Sequence, residues 1–193
     1  MRQPSRFWDR IAERYAKRPV ADEDAYQKKL QVTRDYLRPD MEVLEFGCGT
    51  GSTAIAHAPY VKHIQAIDIS SKMIDIAQRK AAADNVENVT FVQSGIEEYS
   101  APDQSLDAVL GLSILHLLEN KEEAIAKVHR MLKPGGIFVT STACLGIAPA
   151  KRDSAGTDAI RARRREASRS RIPKSVTPNA ESAMSTAHRP LSA

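Results

Sequence analysis

Cysteines, aromatic side chains and long apolar runs are all scarce in this 193-residue chain, and each scarcity excludes a class of protein. The two cysteines, Cys48 and Cys144, lie far apart and outside any CxxC pair, so neither a disulfide framework nor a zinc or dithiol site is expected. The longest strongly apolar stretch, Ala108 to Leu118, is interrupted by Gly111, Ser113 and His116. It falls short of the roughly 20 apolar residues that a bilayer crossing needs. The first residues pass directly into charged sequence, with neither an apolar core nor a small-residue cleavage site, so no secretory signal and a cytoplasmic location are expected. What is present, 42% hydrophobic and 27% charged residues, suits one soluble domain of moderate size.

Charge is divided unevenly. Residues 151–193 hold ten basic and four acidic side chains, a charge of +6, which leaves −2 on residues 1–150. From Ala143 onward only seven large apolar side chains occur and no aromatic one. That is too little apolar area to offset about 1 to 2 kcal/mol of backbone entropy per ordered residue. Residues 145–193 are therefore expected to form a disordered tail rich in Arg, Ala and Ser. Its Arg161–Arg171 run, without interleaved aromatics, suits salt-sensitive, sequence-indifferent contact with nucleic acid at most. No specific nucleic-acid partner is expected.

Hydrophobic periodicity organises the rest. Phe7, Trp8, Ile11 and Tyr15 predict an amphipathic helix over 6–16, and a second helix runs from about Asp22 to Leu37, where Arg38-Pro39-Asp40 stops it. Together they make residues 1–40 an N-terminal helical cap. Strands are predicted at Glu42–Phe46, His63–Ile69, Val89–Gln93, Leu106–Leu112 and Ile137–Thr140. Helices fall between them: a short one over Ser52–Ala58, one capped by Ser70-Ser71, and one opening after Asn120 with Glu123 in a capping-box position and stopping at Pro134-Gly135-Gly136. Strands alternating with helices at this spacing predict an α/β fold, a doubly wound, mostly parallel Rossmann-like sheet of about five strands over residues 41–144.

Gly47, Gly49 and Gly51 stand where the first strand turns into its helix, the place where an open α/β sheet binds ligands. The dinucleotide fingerprint would require a glycine at position 52, where Ser52 stands, and no P-loop occurs anywhere. Asp68 closes the second strand, placed to accept hydrogen bonds from two ribose hydroxyls of an adenosyl cofactor or of NAD alike. No metal site is expected.

Five segments in order carry a fuller resemblance: Val43-Leu-Glu-Phe-Gly-Cys-Gly-Thr-Gly51, Ala66-Ile-Asp-Ile-Ser70, Phe91-Val-Gln-Ser-Gly95, Leu106-Asp-Ala-Val-Leu-Gly111 and Leu132-Lys-Pro-Gly-Gly-Ile-Phe138. Over about residues 6–144 the chain resembles the class I S-adenosylmethionine-dependent methyltransferases, above all their small-molecule branch. The resemblance implies S-adenosyl-L-methionine as cofactor and a small-molecule methyl acceptor. It implies Glu45 and the Gly47, Cys48, Gly49, Thr50 and Gly51 backbone around the methionine moiety, Asp68 at the ribose hydroxyls and Ile69 against the adenine face. Gly95 and Ile96 would meet the adenine edge, although many members place Asp where Ile96 stands, and an apolar residue supplies only its backbone and surface. The sulfonium makes the methyl group electrophilic, so the protein has mainly to hold the nucleophile at attack distance and, for a hydroxyl, to supply a base.

His116, just past the fourth strand, is the candidate general base, weighed against a structural histidine or a backbone-only cofactor contact. Trp8 and Tyr15 either fold over the cofactor or pack on the sheet. Cys48 reads as a small residue tolerated in a tight turn. After Thr142 the helix and antiparallel strands with which the family completes its sheet have no counterpart in the pattern, as though a reading-frame change had replaced them. The fifth strand is then expected to be an apolar sheet edge that promotes self-association and leaves turnover impaired. Two alternatives follow: a protein of the same fold that binds S-adenosylmethionine or S-adenosylhomocysteine without turnover, and an NAD-dependent oxidoreductase.

Overall fold

The computed structural model describes residues 4–142, and expectations for the basic tail and the missing antiparallel strands lie outside the described residues. Five parallel strands form one sheet: β1 (Glu42–Phe46), β2 (His63–Asp68), β3 (Val89–Gln93), β4 (Leu106–Leu112) and β5 (Leu132–Ser141), in the order β3-β2-β1-β4-β5. The chain steps outward from β1 to β2 and β3, then returns to pair β4 with the other side of β1. A crevice therefore opens at the carboxyl ends of β1 and β4, where connections leave in opposite directions.

Alternation along β1 divides the core between the two faces of the sheet. Val43 points to one face, where Ala54 of α3 (Ser52–His57) and Ile74, Ala77 and Ala81 of α4 (Ser71–Ala83) pack. Leu44 and Phe46 point to the other, against Ala124, Val128 and Met131 of α5 (Lys121–Met131). Apart from these layers, α1 (Pro4–Ala16) lies on α4, burying Ala12 beside Met73 and Ile76. A polar clasp fixes this contact: Ser70, whose Oγ accepts from the Met73 N–H at 3.2 Å as N-cap of α4, donates to Asp9 Oδ1 at 2.6 Å.

Three expectations are corrected in detail. The second helix, α2 (Glu23–Arg34), starts beside Asp22, whose side chain caps it, but ends three residues before Leu37, finishing in turns with Tyr36 N–H on Thr33 O and Leu37 N–H on Arg34 O. Asn120 precedes α5 without a side-chain cap, and its carbonyl accepts from the Ala124 N–H. The fifth strand starts at Leu132 rather than Ile137, because the register with β4 jumps from Leu106–Leu132 to Ala108–Ile137 and accommodates Lys133–Gly136 as a bulge. Lys133 Nζ holds both carboxylate oxygens of Asp107 at 2.8 Å across the jump. Among the described residues, β5 has β4 as its one strand neighbour, and no helix is long and apolar enough to cross a membrane.

Candidate functional site

The crevice at the strand ends is a cleft whose floor is the loop after β1. Its geometry is set by hydrogen bonds between the first two strands: Cys48 N–H donates to Ile67 O at 3.0 Å, and Gly49 N–H donates to Asp68 Oδ2 at 2.9 Å. The other oxygen, Asp68 Oδ1, accepts from Ser70 N–H at 2.9 Å. The carboxylate is thus pinned by one N–H on each oxygen, and each oxygen keeps a further lone pair for a ligand donor. Asp68 is partly buried, and burial raises its pKa while the two N–H bonds oppose the rise.

Backbone shape matters most at Gly49, which faces the cleft with φ +54°; a Cβ there would have only Tyr15 near it, at 4.0 Å. A ligand can therefore approach this backbone closely. On the opposite wall Ser113, at the end of β4, holds φ +58°, with its N–H on Ser141 O at 2.9 Å. A non-glycine residue in that region is strained, and such strain clusters at functional sites.

Six of the predicted residues come together on the cleft walls: Gly47, Gly49, Asp68, Ile69, Gly95 and Ile96. Trp8 and Tyr15 of α1 also line it, Trp8 packing in addition against Ala12, Met73 and Ile76. The remaining candidates lie elsewhere. Thr50 is buried toward α4, where Lys80 Nζ donates to its Oγ1 at 2.9 Å and to Ser52 Oγ at 3.0 Å. Gly51 packs on Ala77 and Phe91, and the buried Cys48 is held as the neutral thiol, its pKa raised first by burial and then by Glu45 and Asp68. His116 is exposed on the 3-10 turn Leu115–Leu117 and is not among the wall residues, although Leu117 is. Residues that sequence reasoning did not single out include Glu97, Ile114 and Leu117. Glu97 follows directly on the Gly95-Ile96 pair, the one signal that would have found it.

Glu45 is buried within the sheet layer rather than on a cleft wall; it is 3% exposed, and its Oε2 has no hydrogen-bond partner. Burial pushes its carboxyl up to about 8, against a smaller lowering by Lys29 of α2. His57 of α3, fully buried, has its Nε2 3.4 Å from Leu30 O, while its Nδ1 finds no partner. Burial pushes it down to about 4, opposed by the Leu30 bond.

These two groups give opposite pH signatures. Protonated Glu45 stabilises the fold fully below its unfolded pKa of 4.5, and this contribution is lost as pH rises through about 8. Neutral His57 stabilises the fold above its unfolded pKa of 6.5, and its contribution is lost as pH falls through about 4. Between pH 6.5 and 8 Glu45 acts alone of the pair, so the melting temperature is expected to fall with rising pH there. In Glu45→Gln this decline should flatten, as read by thermal melts across the range. An equal slope in both proteins would refute the assignment.

Comparison with known proteins places this geometry. Residues 43–136 match the family model described as a methyltransferase domain. The uncharacterized methyltransferase YcgJ of Bacillus subtilis (strain 168) is 34% identical over 110 residues, covering 57% of this chain and 44% of that protein. Its solved structure superposes with a TM-score of 0.57 at 31% identity, over 59% of this chain and 50% of the other. A demethylmenaquinone methyltransferase of Symbiobacterium thermophilum is 27% identical over 140 residues, covering 69% of this chain and 56% of that protein. The crystal structure of the cyclase SpnF superposes with a TM-score of 0.57 at 25% identity, over 60% of this chain and 44% of the other. The chain spans about half the length of the curated relatives it matches.

Proposed function

We propose that this chain, whose residues 43–136 match the model of a methyltransferase domain, is a class I S-adenosylmethionine-dependent methyltransferase that binds S-adenosylmethionine in the cleft and methylates a small-molecule acceptor. The observation that carries the reading is the Asp68 carboxylate, fixed by the Gly49 and Ser70 N–H groups at the switch point of the sheet with acceptor capacity to spare. The residues fit the group chemically. Asp68 suits a pair of ribose hydroxyls, Ile69 and Ile96 offer apolar surface to a purine, and the open face of Gly49 admits the methionyl chain. Glu45, buried at the end of β1 next to this loop, has an Oε2 without a partner, an acceptor in reserve for a cationic amino group should the loop shift.

When bound, the cofactor supplies a methyl group already activated by the sulfonium. What this chain must add is orientation and the exclusion of water. Trp8, Tyr15, Leu112, Ile114 and Leu117 give the cleft an apolar wall, which suits an acceptor with an apolar body. Among the described residues, no histidine, lysine or arginine lines it, so a hydroxyl acceptor would have to arrive acidic or be deprotonated by His116 after a movement of its turn.

The test is transfer of isotope-labelled methyl from S-adenosylmethionine to a panel of apolar phenols, quinols and carboxylic acids. Label in an acceptor, and none in protein lacking Asp68, supports the reading. Tight cofactor binding without transfer to any acceptor would favour the second reading, a binding protein of the same fold. That reading draws on the location of His116 outside the cleft walls. Binding of NADH in preference to S-adenosylhomocysteine would overturn both.

A further inference from the structure

Helix α1 presents a second, outward surface besides the one it gives to the cleft. Along its length one pairing recurs every four residues: Arg6-Phe7, Arg10-Ile11 and Arg14-Tyr15. Residues four apart lie above one another on a helix, so the three arginines form one stripe and Phe7, Ile11 and Tyr15 form the stripe beside it. The opposite face is the one that packs, with Ala12, Trp8 and Ala16 against Met73 and Ile76 of α4. Both acidic residues of α1 are engaged on that side: Asp9 accepts from Ser70 Oγ at 2.6 Å, and Glu13 Oε1 accepts from Arg79 Nη2 at 3.0 Å. The outward charge is therefore of one sign. Arg6, Arg10 and Arg14 are exposed, as are Lys17 and Arg18 just past the helix.

The apolar stripe is open to solvent and leads into the cleft. Phe7 and Tyr15 are 49% and 48% exposed. Both rings meet Trp8 edge-on, with centroids 5.3 and 6.2 Å apart, and Trp8 and Tyr15 line the cleft together with the exposed Leu117. Aromatic surface thus runs from the outer side of α1 to the apolar cleft wall, flanked along its length by cations.

We propose that α1 docks this protein on a bilayer containing anionic lipids, with the arginine stripe at the level of the phosphates and Phe7, Ile11 and Tyr15 entering the acyl boundary. Helices that lie in a membrane interface join a cationic face to an aromatic and apolar one in this way, and each cation close to an anionic surface strengthens the association. Nucleic acid would satisfy the charge but not the stripe beside it. The Arg10 guanidinium already stands 5.8 Å from the centroid of the Phe7 ring, which leaves a base less to stack on, and the aromatic surface ends in an apolar cleft rather than a cationic groove. Docking needs no cofactor; under the methyltransferase reading it sets the cleft mouth at the bilayer, from which an apolar acceptor enters.

The experiment is flotation of the full chain with vesicles of phosphatidylcholine alone and of phosphatidylcholine mixed with phosphatidylglycerol. The wild-type protein should float with the mixed vesicles and not with the neutral ones. Combined Arg6→Gln, Arg10→Gln and Arg14→Gln substitution should lower the partition coefficient on the order of 100-fold. Phe7→Ser, which leaves the charge unchanged, should lower it about tenfold. Melting temperatures should match the wild type, since all four side chains are exposed. The basic residues within 151–193 also attract an anionic surface, and Phe7→Ser separates the two effects, because adsorption through those residues alone would be indifferent to it. Unchanged partition in either variant, or no binding of the wild type to the mixed vesicles, would overturn the proposal. So would binding of a single-stranded oligonucleotide, lost in the arginine variant, by a protein that ignores vesicles. Vesicle binding is measured without S-adenosylmethionine, so its failure leaves the cofactor reading untouched.

Discussion

Asp68→Ala should weaken S-adenosylhomocysteine more than 100-fold, the largest loss of binding expected from any single substitution in the cleft. Two charge-assisted hydrogen bonds to ribose hydroxyls, at about 1.5 to 3 kcal/mol each, would account for it. The substitution also removes the acceptor shared by the Gly49 and Ser70 N–H groups, so the loop after β1 loses its tie to the loop after β2. Two measurements separate these effects. Calorimetry reads the affinity, and a thermal melt of the ligand-free protein reads the loss of the two loop bonds, about 1 to 2 kcal/mol against which the relief of carboxylate desolvation works. Asp68→Asn keeps one oxygen and the shape of the side chain, and should fall between the two. Affinity within threefold of wild type in Asp68→Ala would remove Asp68 from the site and with it the main support for the cofactor reading.

Gly51→Ala should cost the most stability. With φ at +75°, a Cβ there would lie 2.7 Å from Ala77 Cβ and 2.8 and 2.9 Å from the Phe91 ring. Both neighbours are buried on the same face of the sheet, so neither can withdraw without opening the packing of α4. Left-handed backbone costs an alanine roughly 1 to 2 kcal/mol, and overpacking typically adds about 1 to 3. A loss on the order of 3 kcal/mol would lower the melting temperature by roughly 10 °C. Gly135→Ala is the control: φ is +79° but nothing lies within 4 Å of the new Cβ, so it carries the backbone cost alone. Equal melting temperatures for the two variants would show that the Ala77 and Phe91 contact relaxes freely.

Much of this architecture was legible before any coordinates, for local reasons. The bounds of β1, β3 and β4 follow from short apolar runs closed by turn residues. The glycines after β1 and Asp68 after β2 announce themselves because the chemistry is written in consecutive residues. The start of β5 was not legible: Pro134-Gly135-Gly136 ends a helix in any local reading, and only the Lys133–Asp107 pair and the register jump show that a sheet edge can absorb it. The location of Trp8 and Tyr15 depends on the Asp9–Ser70 clasp between residues remote in the chain, which no periodicity reveals. The burial of Glu45 away from the cleft wall has the same character. A carboxylate beside glycines reads as a cleft residue from the sequence, and only the fold shows it 3% exposed within the sheet layer. His116 lies just past the strand end that suggested it, but a turn of three residues is enough to swing a side chain from wall to surface.

Trp8 is the chain's only tryptophan, and α1 carries it into the wall of the cleft, where its ring meets Phe7 and Tyr15 edge-on. Selectively excited indole emission from this protein therefore arises at a single location, the wall of the cleft. Occupancy of the cleft becomes an optical signal without label or assay partner, and so does any detachment of α1 from α4, since either event changes the polarity around one fluorophore.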